Sequence, residues 1–462
     1  MKNSDLFINE NEYADLGSDK AIDHLCHAIR FKTVSYVDTS KIDCGEFDRF
    51  HEYIKSSFPH VLSNGVYEEI GHSILITLPG SDSSLRPALF MAHQDVVPIV
   101  NSTENVWIHR PFSGDIADGY IWGRGAMDIK QMLISILESA EYLLSAGRRF
   151  KRTVYLAFGE DEETKNTGAR AISNLLKSRG VTLEYVLDEG GGDVIEASDY
   201  GAPGKYICPI GIYEKGYADL KLSARSRGGH SSNPFHGTSL GVLAKAISDV
   251  LDNPIPAALP ECVKQTLDIL NNDINSEPMA SYIKDIDANK DKLIEYFKSK
   301  ESLYHLIQTT AAPTMITEGS PAGNVMPQDM SAVINFRISP PDTPESLFDH
   351  FRSVVDKDVE LELVQKIAPS VPSDTDMLGY RSLKSVLEHY FAKLIFVPLQ
   401  NRGATDARHY EQICRCCLRF GPFLEEEDIS AEGIHGTNER ISVRAYLQGI
   451  RVIIKLMETT CL

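Results

Sequence analysis

The chain has 462 residues, 42% of them hydrophobic and 24% charged, with a formal net charge of −19 at pH 7. That composition can build a large buried core and excludes a disordered chain, while the acidic balance repels nucleic acid and anionic membranes. No apolar run reaches the ~18–20 residues needed to span a bilayer, so neither nucleic acid nor membrane is an expected partner.

The first twenty residues carry Glu10, Glu12, Asp15 and Asp19 and lack the basic start and apolar centre of a signal peptide. Taken as a full-length product, the chain reads as cytoplasmic. Its eight cysteines form no repeating framework, which suits reduced thiols. Ile22, Leu25, Cys26 and Ile29 then recur at helical spacing, with Ser18 as a candidate cap. Strand-like runs follow at 74–78, 88–92, 153–158 and 185–187. Between them Met132, Leu133, Ile136, Leu137, Ala140 and Leu144 form a helical stripe. Alternating strands and helices predict an α/β layer with a mainly parallel sheet.

The character changes near Gly211. Residues 217–224 alternate apolar and polar, as a half-exposed strand does. A helix-like run at 240–251, a proline-rich loop at 252–260 and polar helical material at 262–306 come next. Strands near 309–316 and 330–338 and a helix at 344–355 complete an α+β layout. This predicts a smaller domain, 214–367, inserted into a domain made of 1–213 and 368–462. After Pro372 the pattern returns to helix (383–391), strand (416–420) and a final helix (442–457). Cys414, Cys416 and Cys417 run into that strand and are too closely spaced for a usual zinc site, so they read as small buried hydrophobes.

Four acid-and-histidine clusters stand out: His93–Gln94–Asp95, Asp128, Glu160–Asp161–Glu162–Glu163 and Asp188–Glu189. Three follow predicted strands and one opens the helical stripe. Open parallel sheets bind ligands beyond the carboxyl ends of their strands. Singly, each cluster has a plainer explanation: a helix cap for Asp128, a core histidine, a solvated loop, a turn before Gly190–Gly191–Gly192. Together they describe carboxylates that repel one another unless a cation neutralises them. Imidazole with carboxylate and no thiol suits zinc or a similar first-row ion.

Met91–Ala92–His93–Gln94–Asp95–Val96–Val97–Pro98 resembles the first metal motif of the zinc aminoacylase and carboxypeptidase family. Trp122–Gly123–Arg124–Gly125–Ala126–Met127–Asp128–Ile129–Lys130 resembles the second. Asp161–Glu162–Glu163, Leu187–Asp188–Glu189–Gly190–Gly191 and Ile434–His435–Gly436–Thr437–Asn438–Glu439 look like the rest, in order from about residue 20 onward. Gly229–His230–Ser231–Ser232, Asn324–Val325–Met326–Pro327, Asn335–Phe336–Arg337 and Thr405–Asp406–Ala407–Arg408–His409 point to the carboxypeptidase S branch, which includes hydrolases of N-fatty-acyl amino acids.

The resemblance implies a di-zinc peptidase domain with an inserted lid or dimerisation domain. It implies two Zn2+ per subunit, with Co2+ or Mn2+ as substitutes. His93, Asp128 and Asp188 would bind one ion; Glu163, His435 and the bridging Asp128 would bind the other. Asp95 would fix the His93 tautomer, Glu162 would be the general base, and His230 would stabilise the oxyanion. Arg337, with Asn324 and Arg408, would hold a substrate carboxylate. A cis peptide at Asp128–Ile129 is also implied, and a homodimer through the inserted domain stays open.

The chain departs from the branch at Glu160, often a histidine there, at Thr164–Lys165–Asn166, where a glycine is usual, and at Ala404, often an asparagine. The expected activity is hydrolysis of an amide bond beside a free carboxylate, as a carboxypeptidase or dipeptidase acting on small peptides. An N-acyl-amino-acid hydrolase is the alternative, and an inactive metal-binding scaffold a distant third.

Overall fold

A strand buried on both faces reads as a near-continuous apolar run, and Ala88–His93, Val154–Gly159 and Tyr185–Asp188 are buried at every position, polar only where His93 and Asp188 end them. In the computed structural model, which describes residues 6–234, 237–320, 322–426 and 433–462, they are the centre of a nine-stranded sheet. The order is Val66–Ile70, Ser73–Leu78, Val154–Gly159, Ala88–His93, Tyr185–Asp188, Cys417–Arg419, Tyr206–Glu214 and Leu394–Asn401, with Ile195–Glu196 beside Tyr206–Glu214. The central pairs are parallel. On either side of them the pairing turns antiparallel, so the sheet is mixed. His93 lies opposite Gly159, and Phe90 opposite Leu187. The carboxyl ends of the parallel strands therefore share one edge.

The chain divides into two compact units. One is Met1–Glu196, Lys205–Tyr213 and Pro372–Leu462; the other is Ala197–Gly204 and Glu214–Val371. In the first, helix Lys130–Ser145 is buried almost all round, between strand Ala88–His93 and the final helix Val443–Cys461. Ser139 donates to Ser135 O at 2.7 Å and to Ile450 O at 3.3 Å, so a small side chain lets the two helices approach.

The second unit holds a four-stranded sheet in the order Thr310–Thr317, Asp329–Ile338, Gly216–Arg225 and Glu360–Ile367. Its pairs are antiparallel. Alternation along Gly216–Arg225 sends Ala218, Leu220, Leu222 and Ala224 into a core with Leu243, Ile334, Phe336 and Phe351.

Some local expectations change. The first helix, Ser18–Arg30, is preceded by Gly17 at φ 70, so Ser18 is its first residue and not its cap. Asp128 is not a helix cap either: Ile129 holds that place, and the Asp128–Ile129 peptide is cis. Strand Leu394–Asn401 contains Pro398, which argues against a strand in sequence, but it lies at the sheet edge, where a missing N–H is tolerated.

The N-terminal segment is fastened to the final helix by charge. Glu12 accepts from Lys455 at 2.7 Å, from His389 at 2.7 Å and from Tyr390 at 2.8 Å. Burial pushes the Glu12 carboxyl up, but the hydrogen bonds from Lys455, His389 and Tyr390 outweigh it and bring it down from 4.5 to about 2. A depressed carboxyl stabilises the fold above its unfolded value, and that contribution is lost as pH falls through the folded value. Urea unfolding of Glu12→Gln should therefore differ most from the parent protein near pH 7. The gap, about 1 kcal/mol or less for so exposed a group, should close between pH 4.5 and about 2. A gap that stays constant over that range would contradict the assignment.

Candidate metal centre

The edge shared by the parallel strands gathers the acidic clusters. His93 ends one strand, Glu160–Glu163 follow Gly159, and Asp188 ends a third. Among the described residues, two groups of potential ligands form there, with ligand atoms within 4.8 Å of one another: His93, Asp128 and Glu189, and Asp128, Glu163 and His435. Asp128 belongs to both. Its Oδ1 lies 3.1 Å from His93 Nε2, and its Oδ2 lies 3.0 Å from His435 Nε2. Glu189 Oε1 is 3.5 Å from His93 Nε2, and Glu163 Oε2 is 3.0 Å from His435 Nε2. One carboxylate thus faces two histidines, each accompanied by a carboxylate of its own.

Asp188 is the exception among the expected ligands. Its Oδ1 accepts the Glu189 N–H at 2.9 Å, and its Oδ2 accepts the Ala407 N–H at 2.8 Å. Both oxygens are engaged by backbone, and the neighbouring Glu189 takes the place beside His93. The turn that allows this passes through Gly190–Gly192, all at positive φ. A Cβ on Gly191 would lie 2.7 Å from Arg419 O and 2.8 Å from Pro209 O, so only glycine fits that approach.

The turn carrying Glu162 and Glu163 is held by acceptors from several directions. Asp95 Oδ1 and Oδ2 accept the N–H groups of Glu162 at 3.1 Å and Glu163 at 3.2 Å, and Ser35 donates to Oδ2 at 2.6 Å. Asp95 also faces the inner nitrogen of His93. Its carbonyl lies 2.9 Å and its Oδ1 3.3 Å from Nδ1, so Nδ1 carries a proton and Nε2 is the nitrogen that faces the carboxylates and would bind a cation. Asp161 accepts from the first turn of helix Thr167–Ser178, from Gly168 N at 2.9 Å and from the Thr167 hydroxyl. Asn166, left-handed at φ 54, supplies the backbone a glycine usually would. Its Nδ2 donates to Glu162 O and to Asp406 Oδ1, both at 3.0 Å. Glu160 accepts from Ser73 at 3.4 Å and stays outside both ligand groups.

Charge balance is the defining property of the site. Burial, and then Asp128, Glu162 and Asp188, hold the Glu189 carboxyl well above the usual range despite His93. Burial raises Glu162 in the same way, reinforced by Asp406, Asp95 and Glu163. Hydrogen bonds to Asp128 and Glu163 push His435 up to about 10. Burial opposes charge on His93, yet Glu189, Asp128 and Asp95 pull it well above its ordinary value. The carboxylates therefore demand positive charge at these positions. Imidazole nitrogen, carboxylate oxygen and no thiol make a donor set that fits zinc or a comparable first-row cation.

The remaining expected residues fall elsewhere. Arg408 sits on the short helix Asp406–Tyr410, beside the Ala407 N–H that holds Asp188. His230, Asn324 and Arg337 belong to the second unit. There His230 pairs with Val325, and Ser231 N donates to Asn324 O at 3.0 Å, so His230 and Asn324 are neighbours. Arg337 lies opposite Tyr217 across two strands, its guanidinium 5.0 Å from the Tyr217 ring centre. Glu189, Asn166 and Asp406 were not singled out as site residues from sequence. For Glu189 the signal was the adjacent acid pair itself; for the other two there was none beyond the motif.

Residues 89–459 match Peptidase family M20/M25/M40, and the chain belongs to that family. It is 34% identical to "Probable carboxypeptidase S-like 2" of Dictyostelium discoideum over 97% of this chain and 87% of that protein. It is 35% identical to the N-fatty-acyl-amino acid synthase/hydrolase PM20D1 of Homo sapiens over 93% of this chain and 86% of that one. Its fold is similar to that of the M20 family metallo-carboxypeptidase Sso-CP2 from Sulfolobus solfataricus, with a TM-score of 0.62, 18% identity and coverage of 95% and 99%. The chain is therefore a metal-dependent hydrolase of amide bonds.

The geometry separates the two members of the acid pair. Glu189→Gln should weaken metal uptake about 10-fold or more, measured by metal analysis after dialysis. Asp188→Asn should retain the metal but lower the unfolding free energy by about 1–3 kcal/mol, because a buried N–H loses its acceptor. The reverse pattern would restore Asp188 as the ligand.

Proposed function

We propose that this member of the family binds two zinc ions and cleaves an amide bond beside a free carboxylate, as a carboxypeptidase or dipeptidase on small peptides. The observation that carries the reading is the Asp128 carboxylate, whose two oxygens face His93 and His435 separately. In the proposed centre His93, Asp128 and Glu189 hold one ion, and Asp128, Glu163 and His435 hold the other. Such a pair, when bound, polarises the scissile carbonyl and lowers the pKa of an attacking water. Co2+ and Mn2+ also accept carboxylate and imidazole donors, Mn2+ leaning more on the carboxylates, and should substitute.

Glu162 is the proposed base. It is next to a ligand and outside both ligand groups, and its turn is fixed by Asp95 and Asn166. A carboxyl held above the usual range is suited to taking the water's proton and returning it to the leaving amine. His230 is the proposed oxyanion donor. Its Nδ1 accepts the Ser232 N–H at 3.1 Å, so Nε2 carries the ring proton and can donate. Arg337, with Asn324 and Arg408, would bind the substrate carboxylate through a planar fork of N–H groups.

An N-acyl amino acid presents the same amide and carboxylate, and the likeness to the PM20D1 protein favours it as the second reading. The second unit would act as lid and dimerisation element: Thr310–Thr317 is a sheet edge carrying exposed Met315 and Ile316, a surface suited to a second copy. Free cysteines, nearly all buried, suit a reducing, cytoplasmic setting.

The deciding experiment is a hydrolysis screen of dipeptides, longer peptides and N-acyl amino acids with zinc, cobalt or manganese. Turnover of none of them by the metal-loaded protein would reject both readings and favour the inactive scaffold. Within the active protein, Glu162→Gln should keep two ions and lose about 10²–10⁴ in turnover. His230→Ala should keep two ions and lose about 10²–10³ in kcat with little change in KM. Loss of metal from either variant would overturn its role.

Substrate charge gives a separate test. Amidating the substrate carboxylate should cut kcat/KM sharply, by about 10-fold or more, since a charge-assisted contact is roughly twice a neutral one. Arg337→Ala should abolish that discrimination. Equal rates on free-acid and amidated substrates would remove Arg337 from the binding site.

A further inference from the structure

Two loops supply the residues on either side of the proposed second ion: 123–128 ends in Asp128, and 435–439 begins with His435. They are joined by a buried ion pair that the reaction itself does not use. Arg124 Nη1 donates to Glu439 Oε2 at 2.6 Å, and Arg124 Nη2 donates to Gly436 O at 3.0 Å. Glu439 Oε1 accepts the Met127 N–H at 2.8 Å and the Asp128 N–H at 3.1 Å. The Glu439 carbonyl accepts the Gly123 N–H at 2.9 Å. Glu439 is fully buried and Arg124 is 3% exposed. The Arg124 guanidinium also sits 5.6 Å from the Trp107 ring centre.

Each of these hydrogen bonds spans the two loops. Arg124 is bonded to the residue after His435, and Glu439 to the backbone of Asp128 itself. A buried ion pair is weak evidence for stability, because desolvation offsets its attraction. Its value here is geometric: it fixes where the Asp128 main chain sits relative to the backbone next to His435. Both side chains then present their ligand atoms with little freedom left to lose on binding.

We propose that Arg124 and Glu439 are positioning residues that hold Asp128 and His435 in register, so that the second cation meets a preformed site. This rests on the reading of Asp128 and His435 as ligands. Neither Arg124 nor Glu439 touches the ion; both act through the backbone of those that do.

The test is calorimetric titration of the metal-stripped full chain with zinc chloride, for the parent protein, Arg124→Ala, Arg124→Lys and Glu439→Gln. Urea unfolding of each metal-free protein runs alongside. Glu439→Gln keeps an acceptor for the two N–H groups but loses the charge. Arg124→Lys keeps the charge but cannot reach Glu439 and Gly436 O together. The weaker of the two zinc affinities should fall about 10-fold or more in Arg124→Ala and Glu439→Gln, with partial recovery in Arg124→Lys. A merely structural pair would shift the unfolding midpoint and leave the affinity of the folded protein unchanged, and that result would overturn the inference. If Arg124→Ala does not fold, the two conservative variants decide it by the same affinities. A parent protein that binds fewer than two zinc ions would overturn the functional reading and this inference with it. A parent that binds two, with variants that match it, would overturn this inference alone.

Discussion

The site depends on one carboxylate shared between two imidazoles. Asp128 cannot satisfy both His93 and His435 unless its oxygens point to separate positions. Glu163 and Glu189 bring negative charge to each position, and Glu162 and Asp188 add more nearby. In a buried pocket, carboxylates so close raise one another's pKa unless positive charge separates them. The rings of His93 and His435 are drawn towards the charged state for this reason, although burial opposes it. A divalent cation meets the same demand with more charge, and the donor types are those zinc prefers.

Holding that much like charge in register falls to the backbone. Asp95 takes the N–H groups of Glu162 and Glu163, Asp188 takes those of Glu189 and Ala407, and Glu439 takes those of Met127 and Asp128. Three buried acids thus accept main-chain hydrogen bonds from the turns that carry the proposed ligands and base. The parallel sheet supplies the common edge, and these acids set the orientation of what stands on it. Peptide dipoles fixed in this way do not reorganise when charge changes, which is what preorganised electrostatics requires.

Much of this was legible in sequence, and for physical reasons. Strands Ala88–His93, Val154–Gly159 and Tyr185–Asp188 are continuous apolar runs because they are buried on both faces, and the acids begin where the runs stop. Helix Lys130–Ser145 is apolar almost all round because sheet and final helix enclose it. Helix Cys44–Ser57 was not anticipated: it buries only Phe47, Phe50, His51 and Ile54 and is otherwise polar. The choice between Asp188 and Glu189 was also hidden. Adjacent acids look alike in sequence, and which one faces His93 is decided by the left-handed turn through Gly190–Gly192 and by the Ala407 N–H from a distant segment. Likewise, an acid such as Glu439, which accepts from two main-chain N–H groups and a distant Arg124, leaves no periodic trace.

The second unit makes the same point about local chemistry. An N–H group can only donate, so the Ser232 N–H at 3.1 Å fixes His230 Nδ1 as an acceptor. The Ser232 hydroxyl, 2.8 Å from the same nitrogen, is compatible with that state because it can donate as well. The proton is then on Nε2, without help from any other element. Pairing of Gly229–His230 with Val325–Met326, and the Ser231 N–H donated to Asn324 O, hold the backbone that carries the ring. A donor arranged in this way keeps its orientation before any negative charge develops. It would therefore favour the charge of a tetrahedral oxyanion over the weaker dipole of a ground-state carbonyl.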